Sequence, residues 1–74
     1  MNRIEEAESK EIVVQNRRTK AYLSDGNKWT DSASSARRFE TPYHALYTCV
    51  DQELENIDVV FRFPDAREVL FLHC

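Results

Sequence analysis

The sequence predicts an α+β fold, a two-layer sandwich with one main helix packed on one face of an antiparallel sheet of four to five strands. Three observations carry this. Thr41-Pro42 opens a segment with helical spacing of apolar residues, because a Thr hydroxyl caps free N–H groups and Pro fits the first helical position. β-Branched or alternating segments lie on both sides of it, at 10–15 and 57–63. Turn chemistry at Asp25-Gly26-Asn27 and at Pro64-Asp65 separates short strands. Helix against one sheet face buries both apolar surfaces, in the order β-β-(β)-short turn-α-β-β.

In chain order, residues 1–9 are polar and acidic, and only Ile4 and Ala7 suit packing, so this segment is expected to be poorly ordered. Residues 10–74 then form a single domain, near the lower size limit for a self-sufficient core. Ile12, Val13 and Val14 predict a first strand. Asn16-Arg17-Arg18 turns the chain, and Thr19 to Leu23 alternates, with Ala21 and Leu23 on one face and Lys20 and Tyr22 on the other. Lys28-Trp29-Thr30 returns after Gly26 as a short third strand. Asp31 to Arg38 reads as a short helical turn, capped by Asp31, that tucks Phe39 into the core.

The main helix is expected from Pro42 to about Glu55, with Tyr43, Leu46, Val50 and Leu54 on its buried face and Glu53 as a misfit there. Asn56 suits a left-handed residue after the helix. Ile57 to Phe63 alternates, and Val69 to His73 is apolar on both faces, which predicts a central or covered strand. The expected core is Ile12, Val14, Ala21, Leu23, Trp29, Phe39, Tyr43, Leu46, Val50, Ile57, Val59, Phe61 and Phe71.

A content of 42% hydrophobic and 31% charged residues, with one Gly and two Pro, is globular and not disordered. No apolar run approaches the ~20 residues that span a bilayer, and the N-terminus lacks the apolar core of a secretory signal. Cys49 and Cys74 make no disulfide framework. A cytoplasmic protein without membrane partners is expected.

The net charge of −3 divides along the chain. Residues 16–38 hold Arg17, Arg18, Lys20, Lys28, Arg37 and Arg38 against Asp25 and Asp31, whereas 1–15 and 39–74 are acidic. Cations around Tyr22 and Trp29 suit phosphates and stacked bases, which makes Arg17, Arg18, Lys20, Tyr22, Trp29, Arg37 and Arg38 a candidate nucleic-acid set. The acidic balance of the whole chain opposes that use. Asp51, Glu55 and Asp58 gather at the end of the helix, where carboxylates oppose its dipole, and with the basic set Arg17, Arg18, Arg37 and Arg38 they form the candidate protein-binding residues.

His44 and Cys49 are five positions apart on a helix and face different directions, so no nucleophile–base pair forms locally. Neither Cys nor His occurs in spaced ligand pairs, so no metal and no cofactor are expected. The run Tyr22-Leu23, Trp29-Thr30, Ala36, Phe39, Thr41, Ala45 resembles a hairpin-then-helix pattern of small bacterial and phage reading frames. Those are packing positions, and the resemblance carries no functional residue. The expected function is a non-catalytic protein–protein interaction module, bound to another protein or to itself through strand Val69–Leu72, with weak nucleic-acid binding as the alternative.

Overall fold

A computed structural model describes residues 10–73, so the expectations for residues 1–9 and for Cys74 lie outside the described residues. Five strands form one sheet: β1 (Glu11–Asn16), β2 (Tyr22–Ser24), β3 (Lys28–Thr30), β4 (Ile57–Arg62) and β5 (Glu68–His73). Their order is β3-β2-β1-β4-β5, and every pairing is antiparallel. One α-helix, α1 (Pro42–Asp51), lies between β3 and β4 in sequence. The α+β sandwich is therefore the observed fold.

β1 and β4 form the spine, paired over six residues from Glu11↔Arg62 to Asn16↔Ile57. β1 and β2 pair at Gln15↔Tyr22 and then part. The extended segment 36–39 fills the fork, with bridges Ser24↔Ala36 and Ile12↔Phe39. Arg37 N–H donates to the Leu23 carbonyl at 2.8 Å, and Phe39 N–H to the Ile12 carbonyl at 2.9 Å. Backbone groups inside the sheet thus find partners despite the split, which a buried amide requires.

Alternation along the strands divides the core between the two sides of the sheet. Ile12, Val14, Leu23, Phe39, Ile57 and Val59 pack beneath α1 with Ala45 and Cys49. Val13, Tyr22, Ala36 and Val60 pack on the other side, together with Ala33 from the 3-10 turn Ala33–Ser35. Tyr22 is buried, so the open face expected beside Lys20 is closed at that residue. The 3-10 turn starts after Ser32, without a side-chain cap, and Asp31 does not cap it.

Thr41 caps α1 as its sequence implies: its hydroxyl accepts from the His44 N–H at 3.0 Å, and Pro42 occupies the first turn. The helix stops at Asp51, four residues before Glu55. Glu53 N–H donates to the Val50 carbonyl and Leu54 N–H to the Cys49 carbonyl, while Glu53 takes φ 56°. This is the Schellman closure, with Glu53 at the left-handed position and Leu54 folded back on the core. The Glu53 misfit is thereby explained. Asn56 is also left-handed, at φ 59°, but in the following loop, where its carbonyl accepts from Arg17 N–H at 2.7 Å.

Ala66 (φ 72°) is left-handed in the β4–β5 turn, closed by Phe63 N–H to the Arg67 carbonyl at 2.9 Å. Left-handed conformations cost an L-residue ~1–2 kcal/mol, partly offset in glycine by its freer unfolded chain. Glu53→Gly and Ala66→Gly are each expected to stabilise the fold by about 0.5–1 kcal/mol, read as a higher urea midpoint at unchanged slope. A lower midpoint in both variants would contradict the turn geometry.

The orientation of α1 departs from the expectation. Its fully buried residues are Ala45 and Cys49, whereas Tyr43 and Tyr47 are 72% exposed and Val50 is 66% exposed. Leu46 and Phe61 are half-buried, and Trp29 and Phe71 are exposed. Small side chains let the helix seat closely over β1 and β4, and the larger apolar stripe turns outward as a result. β5 is also corrected: it is an edge strand whose residues are exposed except for the half-buried Leu72, neither central nor covered among the described residues.

Candidate interaction surface

The proposed basic set is dispersed by the fold. Arg17 Nε pairs with Asp58 Oδ1 at 3.2 Å, and Arg38 Nε with Glu11 Oε2 at 2.9 Å. The Arg37 guanidinium lies 4.8 Å from the centroid of the Phe39 ring. The Tyr22 ring is buried, and its hydroxyl donates to Glu68, which also accepts from Arg62 Nε at 3.1 Å. Burial, then the hydrogen bond and charge of Glu68, push the Tyr22 phenol above its ordinary value, with Arg62 acting in the opposite direction. This ring is not presented to a base. Arg18 and Lys20 are exposed around the β1–β2 turn, whereas Lys28 lies at the opposite end of β2, opposite Ser24. Trp29 is exposed next to Lys28, but it pairs opposite Leu23 and so points to the helix side.

The acidic set divides too. Asp51 and Glu55 are exposed, at the end of α1 and in the loop after it. Asp58 is buried on β4 and serves the fold. Its Oδ1 meets Arg17 Nε and also His73 Nδ1, the latter at 2.6 Å. Desolvation pushes its carboxyl up, but the hydrogen bonds from His73 and Arg17 and their charges outweigh that and hold it below the ordinary aspartate value. Asp58 thus ties the end of β5 and the β1–β2 turn to the middle of the sheet.

His44 is exposed, with its ring edge-on to Phe39 at 5.4 Å, while Cys49 is buried on the sheet side of the helix. No group of three or more His, Cys, Asp or Glu among the described residues is placed to hold a metal ion. A concavity beside the β4–β5 turn is lined by Glu11, Arg62, Phe63, Pro64 and Ala66. Its charged groups are engaged with each other at 3.7 Å and with Arg38 and Glu68.

A different surface emerges from the exposed apolar side chains. Trp29 aside, the large hydrophobics exposed among the described residues are Tyr43, Tyr47, Val50, Val69, Leu70 and Phe71, all on α1 and β5. Positions 43, 47 and 50 form one stripe along the helix. Tyr43 meets Phe71 edge-on at 6.5 Å, and Phe71 lies tilted on Phe61 at 5.1 Å, so helix stripe and strand are continuous. A register shift makes this possible. Val59 pairs with Leu72 and Val60 with Leu70, which leaves Phe71 as the extra residue of a bulge and puts its ring on the helix side.

The two-sided apolar character of Val69–Leu72 marks β5 in the sequence, whereas Tyr43, Val50 and Phe71 are expected in the core. The signal for the outward helical residues was the pairing of Ala45 with Cys49. Apolar residues cover more than half the circumference of α1, opposite a polar face of His44, Thr48 and Asp51, and a helix of that kind has more apolar surface than one sheet face covers. No helix among the described residues is long and apolar enough to cross a membrane. No protein-family model, curated protein or solved structure significantly matches this chain.

Proposed function

We propose that this chain is a non-catalytic, cytoplasmic protein-interaction module that docks its partner on the apolar surface formed by α1 and β5. The observation that carries the reading is the continuity of Tyr43, Tyr47 and Val50 with Phe71 and Val69 outside the core. Contiguous exposed apolar surface of this extent on a small domain marks an interaction site. Engagement of Arg17, Arg37, Arg38 and Tyr22 within the fold weighs against the nucleic-acid alternative.

A photocrosslinking amino acid placed at Tyr47, and separately at Thr19 as a control away from α1 and β5, tests the reading in cells. Protein adducts are expected from position 47 and not from position 19. Equal yields from both positions, or none from 47, would remove it. Labelled single-stranded and duplex DNA and RNA are expected not to bind even at low salt. Binding that weakens steeply with added salt would favour the alternative.

A further inference from the structure

We infer that the occupant of this surface is a second copy of the same chain, joined antiparallel through β5 about a two-fold axis beside Leu70 and Phe71. The inference rests on the interaction reading above and names its partner.

The two sheet edges differ in a way that selects β5. β3 is three residues long and carries Lys28, a short, charged edge that resists strand addition. β5 is six residues long, Glu-Val-Leu-Phe-Leu-His, without Lys or Pro. Its apolar side chains lie on both sides of the sheet: Val69 pairs opposite Phe61 on the helix side, and Leu70 opposite Val60 on the other. A partner lying on the helix face alone would leave Leu70 in water, whereas a strand added at the edge covers both sides. A bulge often blunts an edge. Here it turns Phe71 toward Tyr43 and enlarges the apolar surface.

Self-pairing is complementary in polarity and sets no like charges against each other. Full antiparallel overlap of β5 with its copy sets Glu68 opposite His73 of the other copy at both ends, with Val69 opposite Leu72 between them. The closed two-fold also makes the contact finite, because each copy uses the same edge and leaves only β3 outside.

The helix stripe has a place in this arrangement. α1 sits over β1 and β4, two strand positions from the axis. Four strand spacings then separate the two helices, about 19 Å, and subtracting a helix diameter of ~10 Å leaves a trough roughly 9 Å wide. Phe71 and Val69 form its floor, and Tyr43 and Tyr47 are large enough to fill it from both walls. The six exposed side chains, at 41–72% exposure, offer on the order of 600 Å² per copy, three-quarters of the ~800 Å² per partner in a standard interface.

Sedimentation equilibrium of the full chain tests the inference, together with three single variants. The wild type is expected at twice the 8.7 kDa chain mass. Leu70→Lys and Tyr47→Lys alter exposed side chains, and each is expected to weaken the dimer at least about 30-fold while circular dichroism stays native. Trp29→Lys, on the opposite edge, is expected to leave the dimer intact. A wild type that stays monomeric to millimolar concentration overturns the inference, as does a dimer lost with Trp29→Lys but kept with Leu70→Lys. A heterologous adduct at position 47 with a monomeric wild type rejects the second copy and preserves the interaction reading. Absence of any adduct at 47 rejects both.

Discussion

Leu23→Ala is expected to lower the unfolding free energy by about 2–5 kcal/mol, because it hollows out the largest fully buried side chain among the described residues. Leu23 is 1% exposed and sits where β2 parts from β1, in one core cluster with Phe39 and Ile12. The carbonyl of the same residue accepts the Arg37 N–H that holds segment 36–39 in the fork. A cavity there loosens the wedge as well as the core. A chain of 74 residues has a total stability of only ~4–11 kcal/mol, so the variant is expected to be largely unfolded or to melt far below the wild type. Ile57→Val at a comparably buried site is expected to cost only ~0.5–1.5 kcal/mol, which gives a graded control in the same urea series. Tyr47→Ala, made in the Leu70→Lys background to remove association, is expected to stay within ~0.5 kcal/mol of that background. A loss at Tyr47 as large as that at Leu23 would mean that the helix is rotated from the orientation described.

Asp58→Ala is expected to cost about 1–2 kcal/mol near neutral pH, because it removes the carboxylate oxygen that Arg17 and His73 share, while their own exposure lets water replace it in part. The same pair predicts the acid limb of the stability curve. Folding lowers the Asp58 carboxyl below its ordinary value of 3.8, so the unfolded chain binds the proton more readily. The contribution is therefore complete above pH ~4 and is lost as pH falls through the lowered folded value. Urea midpoints measured from pH 6 down to pH 2 are expected to fall in the wild type and to fall less steeply in Asp58→Asn. Tyr22 acts at the other limit: folding raises its phenol above 10.0, so its contribution is present below that pH and lost as pH rises further. Identical acid limbs in wild type and Asp58→Asn would contradict the buried ion-pair assignment.

The sequence made the elements legible where a local rule has a single reading. Thr41-Pro42 before a run of helical spacing marks a helix start, and Gly26 at φ 80° supplies the turn between β2 and β3. The alternation in β1 and β4 placed Ile12, Val14, Ile57 and Val59 correctly, because a two-residue period permits one side of a sheet. Helical spacing is less restrictive. Tyr43, Leu46 and Val50 do share a face of α1, but Ala45 and Cys49 share another, and close packing against the sheet selected the smaller pair. Local rules do not weigh one apolar helix face against another.

The site was harder to read than the fold for a related reason. Charge along the chain suggested two surfaces, yet Arg17 and Asp58 are 41 residues apart and pair with each other. Tyr22 reaches Glu68 across 46 residues. Such pairings depend on strand order, which a single sequence does not supply. The apolar character of 69–72 was visible as a departure from ordinary alternation, and the structure shows it to be a property of the edge.

The outward stripe of α1, and its cover on association, can be read residue by residue by amide- and methyl-resolved NMR with a soluble paramagnetic chelate, comparing dilute Leu70→Lys with concentrated wild type. In the dilute variant, Tyr43, Tyr47 and Val50 are predicted to broaden strongly while Leu23, Ala45 and Val59 stay sharp. In the concentrated wild type, the same stripe and Phe71 are predicted to be shielded. Shielding of Tyr43 and Tyr47 already in the dilute variant would contradict the outward orientation of α1.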